Sequence, residues 1–166
     1  MKEQFDVFIS YRRSDGTELA KKVRNRLEKR GFRVFLDERD LPGGQDFDKE
    51  LERHILATPN YILIATPDVF KFRGKDDWVL REIQIALKAY ESDNSRHIYP
   101  IMPKGFSMPE ADRLPESIKA LHLKNGLNLK TDEPTDENFA QIARVISAVN
   151  RRNMWNAGQR VLERSK

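Results

Sequence analysis

Asp77-Trp78-Val79-Leu80-Arg81-Glu82 opens a helix-patterned segment in the middle of the chain. Residues four apart share a helix face, so Trp78 sets a large aromatic plane beside the Glu82 carboxylate. An aromatic face attracts a cationic ring, and a carboxylate stabilises positive charge that builds nearby. Together they suit departure of a cationic aromatic group from a sugar, which builds oxocarbenium character as glycoside cleavage does. Such a site needs neither a metal nor a strong nucleophile. The alternative for the same spacing is a core anchor beside a solvated charge, with Glu82 paired to Arg81 or Lys75.

Other segments carry groups of the right type. The first apolar strand runs out into Ser10-Tyr11-Arg12-Arg13-Ser14-Asp15-Gly16. Arg12 or Arg13 there can pair with a pyrophosphate, or form an exposed charge pair. Asp37 ends the second strand and can contact a ribose, as an acidic residue does in dinucleotide folds, or stand solvated in a loop. Arg39-Asp40-Leu41-Pro42-Gly43-Gly44 is no phosphate loop, because no Lys-Ser/Thr follows the glycines; Pro42-Gly43 suits the centre of a type II turn. His54, His97 and His122 lack ligand spacing and cysteine is absent, so no metal site is expected.

The elements that must position these groups follow from composition and periodicity. A chain of 166 residues with 39% hydrophobic and 34% charged residues suits one domain with a single sizeable core and a busy surface. No apolar run is long enough to cross a bilayer and no signal peptide opens the chain, so a cytoplasmic protein without a membrane partner is expected. The net charge of +4 does not imply a nucleic-acid partner. Residues 151–166 carry five cations against Glu163 alone, which leaves the first 150 residues formally neutral. Residues 1–150 therefore read as the domain, and residues 151–166 as a basic tail that extends the last helix or begins a linker.

Apolar strands are expected at residues 5–10, 32–36, 61–65 and 97–102, with a short last strand within 121–129 around Asn125-Gly126. Amphipathic helices are expected at 17–29, 47–56, 77–90 and 137–149. Pro100 cannot donate to a ladder, so the fourth strand should lie near an edge or carry an irregularity. Strands alternating with helices imply a parallel sheet covered on both faces. In the strand order 2-1-3-4-5, ligands bind where the order reverses, outside the ends of the first and third strands. The segment after Ser10 and the segment leading to Trp78 both converge there.

The motifs together resemble a TIR (Toll/interleukin-1 receptor) domain of the NAD-cleaving type, as found in bacterial proteins and in the animal axon-degeneration NADase. Phe5-Asp6-Val7-Phe8-Ile9-Ser10-Tyr11-Arg12-Arg13 is similar to the family's first box, and Arg39 to Gly44 to its second. Asp77 to Ile83 is similar to its WxxxE segment. The likeness covers about residues 4–150.

The resemblance implies a flavodoxin-like fold: a five-stranded parallel sheet in the order 2-1-3-4-5 with helices on both faces. It implies release of nicotinamide from NAD+ to give ADP-ribose or a cyclic variant, in immune or cell-death signalling, with NAD+ as substrate and no cofactor. It gives Glu82 the catalytic role and Trp78 the nicotinamide pocket. Tyr11 and Arg12 fall on a loop that closes over the nucleotide. Arg39, Asp40, Pro42, Gly43 and Gly44 fall on a loop that packs between subunits in homotypic assembly, with a sensor domain or effector as a further partner. The chain departs from its relatives at Asn125-Gly126-Leu127-Asn128-Leu129-Lys130, where some carry a histidine that completes a neighbour's site. The alternative function is a non-catalytic scaffold that signals by TIR–TIR assembly alone.

Overall fold

The computed structural model describes residues 4–36 and 45–164. Five strands, β1 (Val7–Tyr11), β2 (Val34–Leu36), β3 (Asn60–Ile64), β4 (His97–Met102) and β5 (Leu127–Asn128), form one sheet in the order β2-β1-β3-β4-β5. Every neighbouring pair is parallel. The central strands β1 and β3 are buried along their whole length, as a sheet covered on both faces requires. The connecting helices are α1 (Arg13–Lys29), α2 (Gln45–Ala57), α3 (Trp78–Tyr90) and α4 (Asp136–Arg164).

Side chains alternate across the strands, so the sheet divides the core in two. Phe8, Tyr61 and Leu63 face Leu51 and Ile55 of α2 and Val79, Ile83 and Ala86 of α3. Val7, Ile9, Tyr11, Ile62 and Ile64 face Ala20, Val23 and Leu27 of α1 and Phe139, Ile142 and Ile146 of α4. The two faces therefore carry different helices, and any residue of β1 is committed to one face by its parity.

Several elements differ from their sequence expectation. α1 begins at Arg13, four residues before its expected start at residue 17, and takes in Gly16. A Cβ there would meet the Tyr11 Cβ at 3.4 Å and Ile64 at 3.6 Å, ordinary contact distances, so Gly16 sits buried against the sheet without strain. The expected strand within 121–129 shrinks to Leu127–Asn128, because residues 116–123 form a 3₁₀ helix that buries Ile118 and Leu121.

Pro100 lies within β4 and is in register with Leu63 of β3. Met102, two residues on, turns its carbonyl towards Leu129 at 2.9 Å, so the missing Pro100 donor also faces the β5 side. There Gly126 crosses the proline, and no ladder bond is lost to β3. α4 runs unbroken to Arg164, through residues read as a basic tail that extends the last helix or begins a linker. Residues 154–164 of it are all exposed.

Candidate active site

The site is built at the strand ends where the order reverses. β1 ends in Ser10 and Tyr11 and passes through Arg12 directly into α1. β3 leads through Thr66 and two short 3₁₀ turns, Pro67–Phe70 and Gly74–Asp76, into α3. Asp77 starts that helix as its N-cap, with its carboxylate accepting the Leu80 N–H at 3.0 Å. A second N–H, that of Arg73, donates to the same carboxylate at 2.9 Å and draws the preceding turn onto the helix end.

Arg12 ties the two segments together. Its Nη2 donates to Asp77 Oδ2 at 2.8 Å, and both side chains are buried. Its Nε donates to the Asp68 carbonyl at 3.1 Å and its Nη2 also to the Val69 carbonyl at 3.3 Å. Burial raises the Asp77 pKa, but the Arg12 guanidinium and the Leu80 and Arg73 N–H groups outweigh it and hold the carboxyl below its usual range. Asp15, in the first turn of α1, adds a second clamp by accepting from Thr66 Oγ1 at 2.6 Å and from the Asp68 N–H at 2.8 Å. The start of α1 is thus tied to the start of α3 directly by the Arg12–Asp77 pair and to the segment leading there, residues 66–69, by four further charge-assisted bonds.

On this frame Glu82 takes an unusual place for a carboxylate. The buried stripe of α3 is Val79, Glu82, Ile83, Ala86, Leu87 and Tyr90, so Glu82 occupies a position that periodicity reserves for an apolar side chain. It is 6% exposed. Trp78, one turn earlier, is half-buried against the same side of the core, and the Arg81 guanidinium lies 5.7 Å from its ring centroid. The aromatic plane and the carboxylate expected from the sequence therefore sit on adjoining turns, with the carboxylate turned inward.

The remaining expected site residues fall in different places. Arg13 is exposed at the first turn of α1. Arg12, expected to reach towards a phosphate, spends its donors on chain atoms instead. Tyr11 is buried on the α1 side of the sheet, the face opposite the one that α3 covers. Asp37 and the loop residues Arg39, Asp40, Pro42, Gly43 and Gly44 lie outside the described residues. Among the described residues no cluster of acidic or histidine side chains could hold a metal ion.

Three residues at the site carried no expectation. Asp77 was legible as a cap, since an aspartate stands directly before a helical run. Ser10 and Tyr61, buried on the α3 side of β1 and β3, gave no signal, because their parity matters only once α3 is known to cover that face.

A family model described as TIR domain matches residues 7–143. Curated relatives include NAD(+) hydrolase sarm1 of Drosophila melanogaster, 39% identical over 132 residues, and NAD(+) hydrolase tir-1 of Caenorhabditis elegans, 34% identical over 152 residues. These alignments cover 77% and 89% of this chain but only 9% and 15% of the relatives. Among solved structures, the TIR domains of the activated Roq1 resistosome superpose with a TM-score of 0.67 at 17% identity, covering 86% of this chain and 99% of that one. The TIR domain of the Toll-related receptor TRR-2 from Hydra magnipapillata gives a TM-score of 0.57 at 21% identity, covering 87% and 99%. Fold, motif order and sequence similarity agree: the chain belongs to the TIR domain family.

Proposed function

We propose that this chain is an NAD+ glycohydrolase that releases nicotinamide and leaves ADP-ribose or a cyclic variant. The observation that carries this reading is Glu82, a buried carboxylate on the core-facing stripe of α3, one turn beyond Trp78 and next to the strand-order reversal. Relatives named NAD(+) hydrolase at 34–39% identity support it. The chain spans 9–17% of the length of those relatives, so the reading concerns the chemistry of this domain and not their wider activity.

In this mechanism Trp78 lies against the nicotinamide ring and Glu82 accepts hydrogen bonds from the ribose hydroxyls. The glycosidic C–N bond breaks with its electron pair leaving on nicotinamide, which becomes neutral. Positive charge then develops on the ribose, where a carboxylate in a site shielded from water stabilises it more than it stabilises the ground state. Water adds to the ribose carbon and sheds a proton; an adenine nitrogen taking its place gives the cyclic product. Arg13 offers the cation for the pyrophosphate, while Arg12 holds the frame. Concentrated protein incubated with NAD+ should release nicotinamide measurable by chromatography, and Glu82→Gln should lower the rate by about 10²–10³. Wild-type turnover in that variant would remove the mechanism.

A second role, homotypic assembly through residues 39–44, is favoured by the Roq1 neighbour, whose TIR domains are those of a resistosome. Light scattering of Pro42→Ala and Gly43→Ala variants tests it independently of turnover.

A further inference from the structure

Two hydroxyls lie buried on the sheet face that α3 covers, Ser10 Oγ and Tyr61 Oη, and neither meets any group in good hydrogen-bond geometry. Ser10 is 1% exposed and Tyr61 is 0% exposed. Buried hydroxyls nearly always find a partner. Tyr90, on the same face, does so, with its hydroxyl 3.0 Å from the Ile55 carbonyl and 2.6 Å from that of Thr58.

The two unpartnered groups belong to one arrangement. Tyr61 is in register with Phe8, and its ring stacks on Phe8 at 5.6 Å between centroids. Ser10 is two residues beyond Phe8 on the same face, towards the strand ends that form the site. Val79, Ile83 and Ala86 of α3 pack over this patch, and Glu82 is the charged member of their stripe. Glu82 also lies near enough for its charge to act on Tyr61. Burial pushes the tyrosine pKa well up and the Glu82 charge pushes it further, against a smaller pull from the neighbouring Ser10 hydroxyl, close by but short of good hydrogen-bond geometry, which leaves the phenol protonated and able to donate.

Resting on the NAD-cleavage reading, we propose that Tyr61, backed by Ser10, is a positioning residue that seats the Glu82 carboxylate in its reacting orientation. A side-chain rotation of Glu82 supplies the acceptor that the Tyr61 hydroxyl lacks, and Ser10 in turn donates to the Tyr61 oxygen. No substrate atom reaches Tyr61 while the phenol is buried, so its effect passes through Glu82.

The test is Tyr61→Phe, which removes one oxygen and leaves the Phe8 stack. An idle buried hydroxyl would be neutral or costly to the fold, so its loss would leave turnover unchanged. Positioning predicts a kcat about tenfold lower, the rate equivalent of a hydrogen bond to a charged group, with KM within about twofold and Tm equal or higher. Ser10→Ala should move kcat the same way by a smaller factor. Thermal unfolding of Tyr61→Phe, Glu82→Gln and the double variant reads the contact without substrate: non-additive Tm shifts support it. Additive shifts with unchanged kcat overturn the proposal. Wild-type protein that leaves NAD+ intact overturns the NAD reading, and the unfolding cycle then decides on its own whether Tyr61 holds Glu82.

Discussion

The Arg12 guanidinium and the Asp77 carboxylate meet at 2.8 Å across 65 residues of sequence. The bond joins the end of β1 to the N-cap of the helix that carries Trp78 and Glu82. A helix start is ordinarily held by its own cap alone. Here the cap is itself held, so the angle at which Glu82 enters the core depends on a residue at the junction of β1 and α1. In the proposed mechanism Arg12 acts by fixing α3, and Arg13 is the cation offered to the pyrophosphate.

Removing one partner leaves the other buried and charged. Arg12→Ala should therefore destabilise the fold by about 3–5 kcal/mol, measured by urea unfolding. Arg12→Lys should recover little, since one ammonium cannot match the guanidinium's simultaneous bonds to Asp77 and to the Asp68 and Val69 carbonyls. Adding Asp77→Asn to Arg12→Ala should restore part of the loss, because the stranded charge is gone while asparagine still caps. A destabilisation below about 1 kcal/mol for Arg12→Ala would mean that the pair is solvated and positions nothing.

The same pair sets an acid limit. Asp77 has a folded pKa below its unfolded value, so its stabilisation is complete above an unfolded pKa of about 3.9 and drains away as pH falls through the folded value. Unfolding free energy should fall between about pH 5 and pH 2, and more gently in Asp77→Asn, which has no proton to take up. Equal slopes for the two proteins would assign the acid dependence to other carboxylates, such as Asp68 or Asp93, whose pKa values are also lowered.

Much of this frame is legible in the sequence because it is periodic. The strand runs, the α3 stripe and the Asp77 cap all depend on neighbours within one or two turns. What is not legible depends on partners far along the chain. Arg12 and Arg13 look alike as a pair, and only an acceptor 65 residues away turns one inward. Gly16 looks like a break because its packing against Tyr11 and Ile64 is tertiary. Ser10 and Tyr61 look like ordinary strand residues until α3 brings a carboxylate over them. The inward turn of Glu82 is the instructive case: its spacing matches the apolar stripe, so periodicity alone marks it as misplaced.

The crossing of Gly126 over Pro100 should tolerate no side chain. A Cβ at 126 would fall 2.0 Å from the Pro100 carbonyl oxygen and 2.7 Å from its ring, so backbone has to shift. Gly126→Ala should cost about 1–3 kcal/mol and fray the two-residue β5 pairing first. Amide exchange at Leu129, whose N–H donates to the Met102 carbonyl, reports that local opening. Unchanged protection in the variant would show that the edge strand moves aside freely.

The last turns of α4 pose the opposite case, a helix with no domain beneath it. Met154, Trp155, Val161 and Leu162 are each more than 60% exposed, and their spacing places them on one side of the helix. They bury nothing against the core, so they contribute little to folding, and the helix persists there by propagation from the packed turns before residue 150. Ending the chain after Asn153 should leave unfolding free energy within about 0.5 kcal/mol of the full chain. It keeps Asn150, which receives the Asn60 amide at 3.4 Å, and Arg152, which donates to the Asn94 carbonyl at 2.7 Å. Urea unfolding of the two lengths checks this. A loss of several kcal/mol on shortening would show that the apolar side is covered in the folded protein.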